Sequence, residues 1–125
     1  MKSTIKKLPD TEFEVMQAIW RSPIPATRAN IEMLLKETHP MALTTLLTIL
    51  TRLSDKKFIR IEKEGRTSRY YPLVAEQDYL AAQGKRFFNK LCGGNLETFA
   101  TALCDSGLTK EELAELRELL EREEL

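Results

Sequence analysis

Apolar residues in the first 56 positions recur at helical spacing in three separate runs. In the first, Phe13, Met16, Ile19 and Trp20 share one face at spacings of three and four. Asp10 and Thr11 precede that face as candidate caps, and Thr11 with Glu14 has the layout of a capping box. Ser22-Pro23-Ile24-Pro25 stops the run, because neither proline can donate a hydrogen bond into a helix, and Ile24 is expected to form a strand of one or two residues. The second run, about Thr27 to Glu37, carries Ile31, Leu34 and Leu35 behind Thr27 as cap and ends before His39-Pro40. The third, about Leu43 to Lys56, lines up Leu46, Leu50 and Leu53 with Ile49 beside them. Thr44, Thr45, Thr48, Thr51 and Arg52 occupy the rest of its circumference.

The period then changes from 3.6 to 2. Phe58, Ile59, Ile61 and Lys63 predict one strand, and Ser68, Tyr70, Tyr71 and Leu73 its partner. Glu64-Gly65 supplies the turn, since glycine takes positive φ without steric cost. Pro72 predicts a second strand near a sheet edge. After Val74 the helical period returns: about Glu76 to Cys92, then a break at Gly93-Gly94, then about Leu96 to Leu103. A last helix opens on a capping box of Thr109 and Glu112, with Leu113, Leu116 and Leu120 in a seam and Leu119 flanking it. The pattern predicts a mainly α protein. Residues 1–74 form a winged helix-turn-helix and residues 75–125 a helical dimerisation region. Phe87, Phe88, Leu91, Leu96, Phe99, Leu103, Leu113, Leu116 and Leu120 are too many for three small helices to bury among themselves, so a partner chain is the expected cover.

Net charge is zero, but its distribution is uneven. Residues 1–74 hold 13 Lys and Arg against 8 Asp and Glu, net +5, whereas residues 75–125 hold 6 against 11, net −5. Only the first part has the charge to face phosphates. No apolar run approaches the roughly 20 residues that span a bilayer, and no apolar stretch follows the amino-terminal charges, so no membrane partner and a cytoplasmic location are expected. Cys92 and Cys104 read as two small buried hydrophobes. His39 stands alone, and the chain has no Gly-rich phosphate loop, nucleophile elbow or metal-ligand spacing. Neither an enzyme nor a cofactor is expected.

The third helix and the hairpin carry the chemistry. Threonine hydroxyls at Thr44, Thr45 and Thr48 can meet phosphates or base edges while their methyl groups touch thymine methyls. Thr51 reads equally well as a half-buried position. Arg52, Lys56, Lys57, Arg60, Arg66 and Arg69 make a basic surface, although Arg52 has the alternative of pairing with an acidic neighbour to hold helices together. Arg66 stands at the hairpin tip, where arginine reaches backbone or minor groove. Of Tyr70 and Tyr71, one packs and the other faces outward. Double-stranded DNA is the expected partner. The rival reading is a winged helix used for protein interaction, because fold alone does not settle function.

In order and spacing, LPDTEFEVMQAIW, TLLTILTRLSDKKFI, GRTSRYYPLV and the two-glycine break followed by LTKEELAELRELL resemble the penicillinase-repressor family of bacterial winged-helix transcription regulators, over about residues 8 to 122. The resemblance implies a homodimeric repressor on a pseudo-palindromic operator. Thr44, Thr45, Leu47 and Thr48 then occupy the groove-facing turn, with Arg52, Lys56, Arg66 and Arg69 around it. Family members that answer to beta-lactams carry more Lys and Arg in that turn, so their operator does not carry over to Thr44 and Leu47. They are cut at an Asn-Phe bond by a sensor protease. Thr101-Ala102 stands in that place here and leaves such a partner unsupported. The cysteine cluster of copper-responsive members is not reproduced by Cys92 and Cys104 either.

Overall fold

Pro9, rather than Asp10 or Thr11, opens the first helix of the computed structural model, which describes residues 5–123. Its φ of −56° and ψ of 154° present the carbonyl that Phe13 N–H bonds at 2.9 Å. The helix, α1 (Asp10–Trp20), therefore starts before Thr11, and the expected Thr11–Glu14 box has no terminus to cap. Asp10 instead contributes charge to the positive end of the helix dipole. The next helix, α2 (Arg28–Thr38), has the cap its sequence announces: Asn30 N–H bonds Thr27 Oγ1 at 3.1 Å, and Thr27 N–H bonds Asn30 Oδ1 at 3.0 Å.

The short strand after the first helix is β1 (Ala26–Thr27), not Ile24, which is exposed. Pro25 has no N–H for a ladder, so pairing begins at the next residue. With α3 (Leu43–Asp55) in place, β2 (Ile59–Glu64) and β3 (Thr67–Pro72) form the wing, and β1 adds itself to β3. The sheet order is β1-β3-β2, all antiparallel, with Ala26 opposite Tyr70 and Ile61 opposite Tyr70 on the other side. The strand bearing Pro72 is thus central, contrary to the edge expected of it. Proline is tolerated because β1 reaches only Arg69 and Tyr70, leaving the ladder position of Pro72 open on that side.

One core sits under these elements. Val15, Met16, Ile19, Ile31, Leu35, Leu46, Ile49, Leu50, Leu53, Phe58, Ile59 and Tyr70 are all buried in it. Tyr79, from α4 (Glu76–Arg86), completes it: its ring stacks on Phe13 at 5.5 Å between centroids, and its hydroxyl accepts from Leu8 N–H at 2.8 Å. Trp20 Nε1–H bonds Val74 O at 2.9 Å, so the chain leaving the wing is pinned back on α1. The chain divides into two compact units, one ending at Gln83 and the other beginning at Gly84. The division drawn from the sequence lies after Val74, ahead of the buried Tyr79.

In the second unit the helix expected to run to Cys92 widens into a π turn over Phe87–Leu91. Adjacent side chains on an α-helix diverge by about 100°; the wider turn is where Phe87 and Phe88 both meet Phe99, at 5.9 and 5.7 Å. Gly93 and Gly94, both at positive φ, close it. Phe99 belongs to α5 (Leu96–Asp105), which is longer than expected and is capped by Asn95 Oδ1 on Thr98 N–H. The last helix, α6 (Lys110–Glu123), has the predicted Thr109–Glu112 box, with bonds of 2.9 and 3.0 Å. Cys92 is buried, but Cys104 is exposed, because α5 turns Phe99 and Leu103 inward and carries Cys104 round to solvent.

The end of α3 stores local strain. Phe58 N–H bonds Leu53 O at 2.9 Å and Lys57 N–H bonds Ser54 O at 3.0 Å, the paired bonds of a Schellman ending. Lys57 holds the left-handed position, φ 68°, where glycine is preferred, and among the described residues no other non-glycine has positive φ. A side chain there costs about 1 kcal/mol. Lys57→Gly is therefore expected to raise the urea midpoint by an amount equivalent to about 1 kcal/mol with an unchanged slope. A fall in midpoint would show that the lysine side chain supplies more than the strain removes.

Candidate nucleic-acid interface

A helix with four large aliphatics on one side must present something else on the other. Leu46, Ile49, Leu50 and Leu53 of α3 point into the core. Thr44, Thr48 and Thr51, four and three residues apart, form the opposite strip with Leu47 beside them, and all are exposed. Thr45 is exposed on the flank that also carries Arg52. The hydroxyls are partly committed: Thr48 Oγ1 donates to Thr44 O at 3.0 Å and Thr51 Oγ1 to Leu47 O at 3.1 Å. Thr48 and Thr51 thus offer outward a methyl group and oxygen lone pairs rather than a donor, while the hydroxyls of Thr44 and Thr45 can still donate. At the start of α3, Ala42 provides no side-chain cap, and the first helical bond runs from Leu46 N–H to Ala42 O. The amides before it have no acceptor within the helix and can donate to a phosphate oxygen.

The cations near the far end of α3 have a partner inside the protein. Glu12 of α1 is 4% exposed and is the ion-pair partner of both Lys56 and Arg52. Lys56 Nζ hydrogen-bonds Glu12 Oε1, while Arg52 Nη1 stands at 3.9 Å from Oε2 with its side chain 63% exposed. Arg52 therefore keeps most of its donors toward solvent. The carboxylate ties α3 to α1 and fixes where these two positive charges sit.

In the wing, Arg60 and Arg69 meet different neighbours. Arg60 Nε bonds Glu62 Oε2 at 2.8 Å, and its guanidinium lies 4.3 Å above the Tyr71 ring. Arg69 Nε is 3.3 Å from Glu64 Oε1. Tyr70 is buried and Tyr71 faces outward, held under Arg60. Arg66 shares the two-residue tip with Gly65, whose φ of 65° relieves Arg66 of any positive φ. Among the described residues no carboxylate pairs with Arg66. It is exposed at the point of the hairpin, and with Lys63 of β2 it is a wing cation with no carboxylate partner among the described residues.

The penicillinase repressor family profile matches residues 8–122. The chain belongs to this family. The penicillinase repressor of Bacillus licheniformis is 34% identical to it over 121 residues, spanning 94% of each chain. The methicillin resistance regulatory protein MecI of Staphylococcus aureus is 30% identical over 125 residues, spanning 98% of this chain and 99% of its own. The solution structure of Bacillus licheniformis BlaI, in its monomeric form in complex with the blaP half-operator, matches at a TM-score of 0.51 and 33% identity. That match covers 61% of this chain and 92% of the other. The DNA-binding domain of the repressor BlaI matches equally, over 60% of this chain and 94% of its own.

Sequence reasoning missed three features of this penicillinase repressor family member. Glu12 looked like one more polar residue of α1, and only its three-dimensional neighbours give it a role. Thr51, for which a half-buried place and an outward one read equally well, is exposed in line with Thr44 and Thr48. Arg60 is a stacked cation and not simply one of a run. Among the described residues no group of three or more His, Cys, Asp or Glu is placed to hold a metal, and no helix is long and apolar enough to cross a membrane. The Glu12–Lys56 pair generates a thermodynamic expectation: a cycle of Glu12→Gln, Lys56→Met and the double variant should give a coupling of about 1–2 kcal/mol by urea unfolding. A coupling near zero would mark the pair as incidental to the packing of α1 on α3.

Proposed function

We propose that this chain is a homodimeric transcriptional repressor that binds a pseudo-palindromic DNA operator through α3 and the wing. The observation that carries the reading is the exposed threonine strip of α3, which begins at an uncapped helix start and belongs to the same compact unit as the exposed Arg66 hairpin tip. A rod of this width fits a major groove, and a cationic hairpin beside it fits the adjoining backbone. The similarity to a BlaI solved on its half-operator supports the same orientation. Thr44, Thr45, Leu47 and Thr48 face the bases, Arg66 the backbone, and Arg52, Lys56 and Arg69 supply charge at the margin.

Dimerisation rests on the second unit. Leu91 and Leu96 are 73% and 72% exposed, Phe87 and Leu120 are also exposed, and Leu113 and Leu116 line a shallow groove on α6. Apolar surface on that scale is covered by another copy of the chain. Two copies then offer two reading helices to one dyad, roughly 34 Å apart along the duplex. A sensor protease acting at Thr101-Ala102, both exposed on α5, has no support beyond that exposure.

Gel shift against the duplex upstream of the chain's own gene tests the reading. Saturable binding to a dyad is expected, weakening steeply with salt. Arg66→Ala should lower affinity and flatten the slope of log K against log salt by about one. An unchanged slope would remove Arg66 from the interface, and absence of binding to any duplex would favour a protein-interaction role. Cutting the chain after Gln83 retains Tyr79 and the core and should leave a monomer that binds one half-site weakly. Tight dyad binding by that fragment would contradict dimerisation through the second unit.

A further inference from the structure

We propose that the recognition surface of α3 reads its operator chiefly through the 5-methyl groups of thymine, with Leu47 and Thr48 as the specificity-determining pair. The inference rests on the repressor reading above and goes one step beyond it, to the chemical group that is recognised. From Leu43 to Thr51 the helix holds no Arg, Lys, Asn, Gln, Asp, Glu or His. Those are the side chains that make bidentate contacts to guanine or adenine or accept from cytosine. The first such residue is Arg52, beyond the last threonine of the strip and beside the buried Glu12.

What the strip does present is apolar. Leu43 and Leu47 are 42% and 41% exposed, large fractions for leucines in a folded domain. Thr48 and Thr51 have their hydroxyl protons on carbonyls of their own helix. Guanine shows the major groove two acceptors, N7 and O6, and at Leu47 and Thr48 the helix turns no donor toward them. Thymine alone among the bases puts an apolar group there. Asp55 limits the reading part at the other end, since its exposed carboxylate, four residues beyond Thr51, is repelled by phosphates. The two amino-terminal turns therefore do the reading, and their outward chemistry matches methyl groups.

The test uses the full chain and a duplex library with a randomised centre. Enrichment of half-sites whose central positions are thymines is expected. Replacing those thymines by deoxyuridine removes only the methyl and should lower affinity about fourfold per contacted position, whereas deoxyuridine outside the footprint should have no effect. Thr48→Val keeps a methyl and loses the hydroxyl, so it should bind within about twofold of the parent chain. Thr48→Ser keeps the hydroxyl and loses the methyl, so it should bind more weakly and no longer distinguish thymine from deoxyuridine at its position. Enrichment of guanine at the central positions, or indifference to deoxyuridine, would overturn the proposal while leaving a DNA-binding repressor in place. Failure to enrich any sequence would defeat the repressor reading itself.

Discussion

Burial of one face of α3 is the constraint on which the rest depends. Leu46, Ile49, Leu50 and Leu53 each leave water almost completely. At about 1.5–3 kcal/mol per side chain, the four supply on the order of 6–12 kcal/mol. Against this stands the cost of four threonines in the same helix, a few tenths of a kcal/mol each relative to alanine. The burial wins by a wide margin, so the outer face is free to be chosen for what it touches rather than for helix stability. Without that margin, an uncapped helix rich in β-branched residues would be a poor candidate for a rigid reading element.

Charge is distributed by the same logic of commitment. The first half of the chain carries a net +5, yet several of its cations already have carboxylate partners. Arg60 and Arg69 pair with Glu62 and Glu64 at the wing surface, where ion pairs contribute little and exchange readily for phosphate. Lys56 is different, because its partner Glu12 is buried and cannot recover solvation if abandoned. The surface therefore has two classes of positive charge: exchangeable ones on the hairpin and an anchored one at the end of α3. Net charge alone describes neither.

Most of the first unit was legible because its elements are long and periodic. The three helices, the cap at Thr27 and the packing of one tyrosine against solvent exposure of the next follow from spacing and residue type. The turn, however, falls at Gly65-Arg66, one residue beyond the expected Glu64-Gly65, because Glu64 still pairs with Thr67. The failures have physical causes. A two-residue strand such as β1 has no period to detect, so the central position of β3 and the tolerance of Pro72 could not be read. Pro9 competed with Asp10 and Thr11 for the start of α1 and prevailed through its fixed φ. The π turn at Phe87–Leu91 carries two rings that both meet Phe99, eleven and twelve positions downstream, beyond the reach of local periodicity. Glu12 acquires meaning only from Arg52 and Lys56, forty and forty-four residues downstream.

The two units differ in what their apolar side chains accomplish. Of the fully buried hydrophobic residues described, Cys92 alone belongs to the second unit, although that unit is rich in leucine and phenylalanine. The first unit uses its aliphatics to make a core of its own. The second leaves Leu91, Leu96 and Leu120 in water, a state that burial against a partner chain would relieve. If that partner is the same chain, stability of the second unit becomes a function of protein concentration, as it does for any fold completed by association. Occupancy of a dyad then depends on concentration twice, once through assembly and once through binding. A repressor built this way responds more sharply to its own abundance than its threonine strip alone would allow.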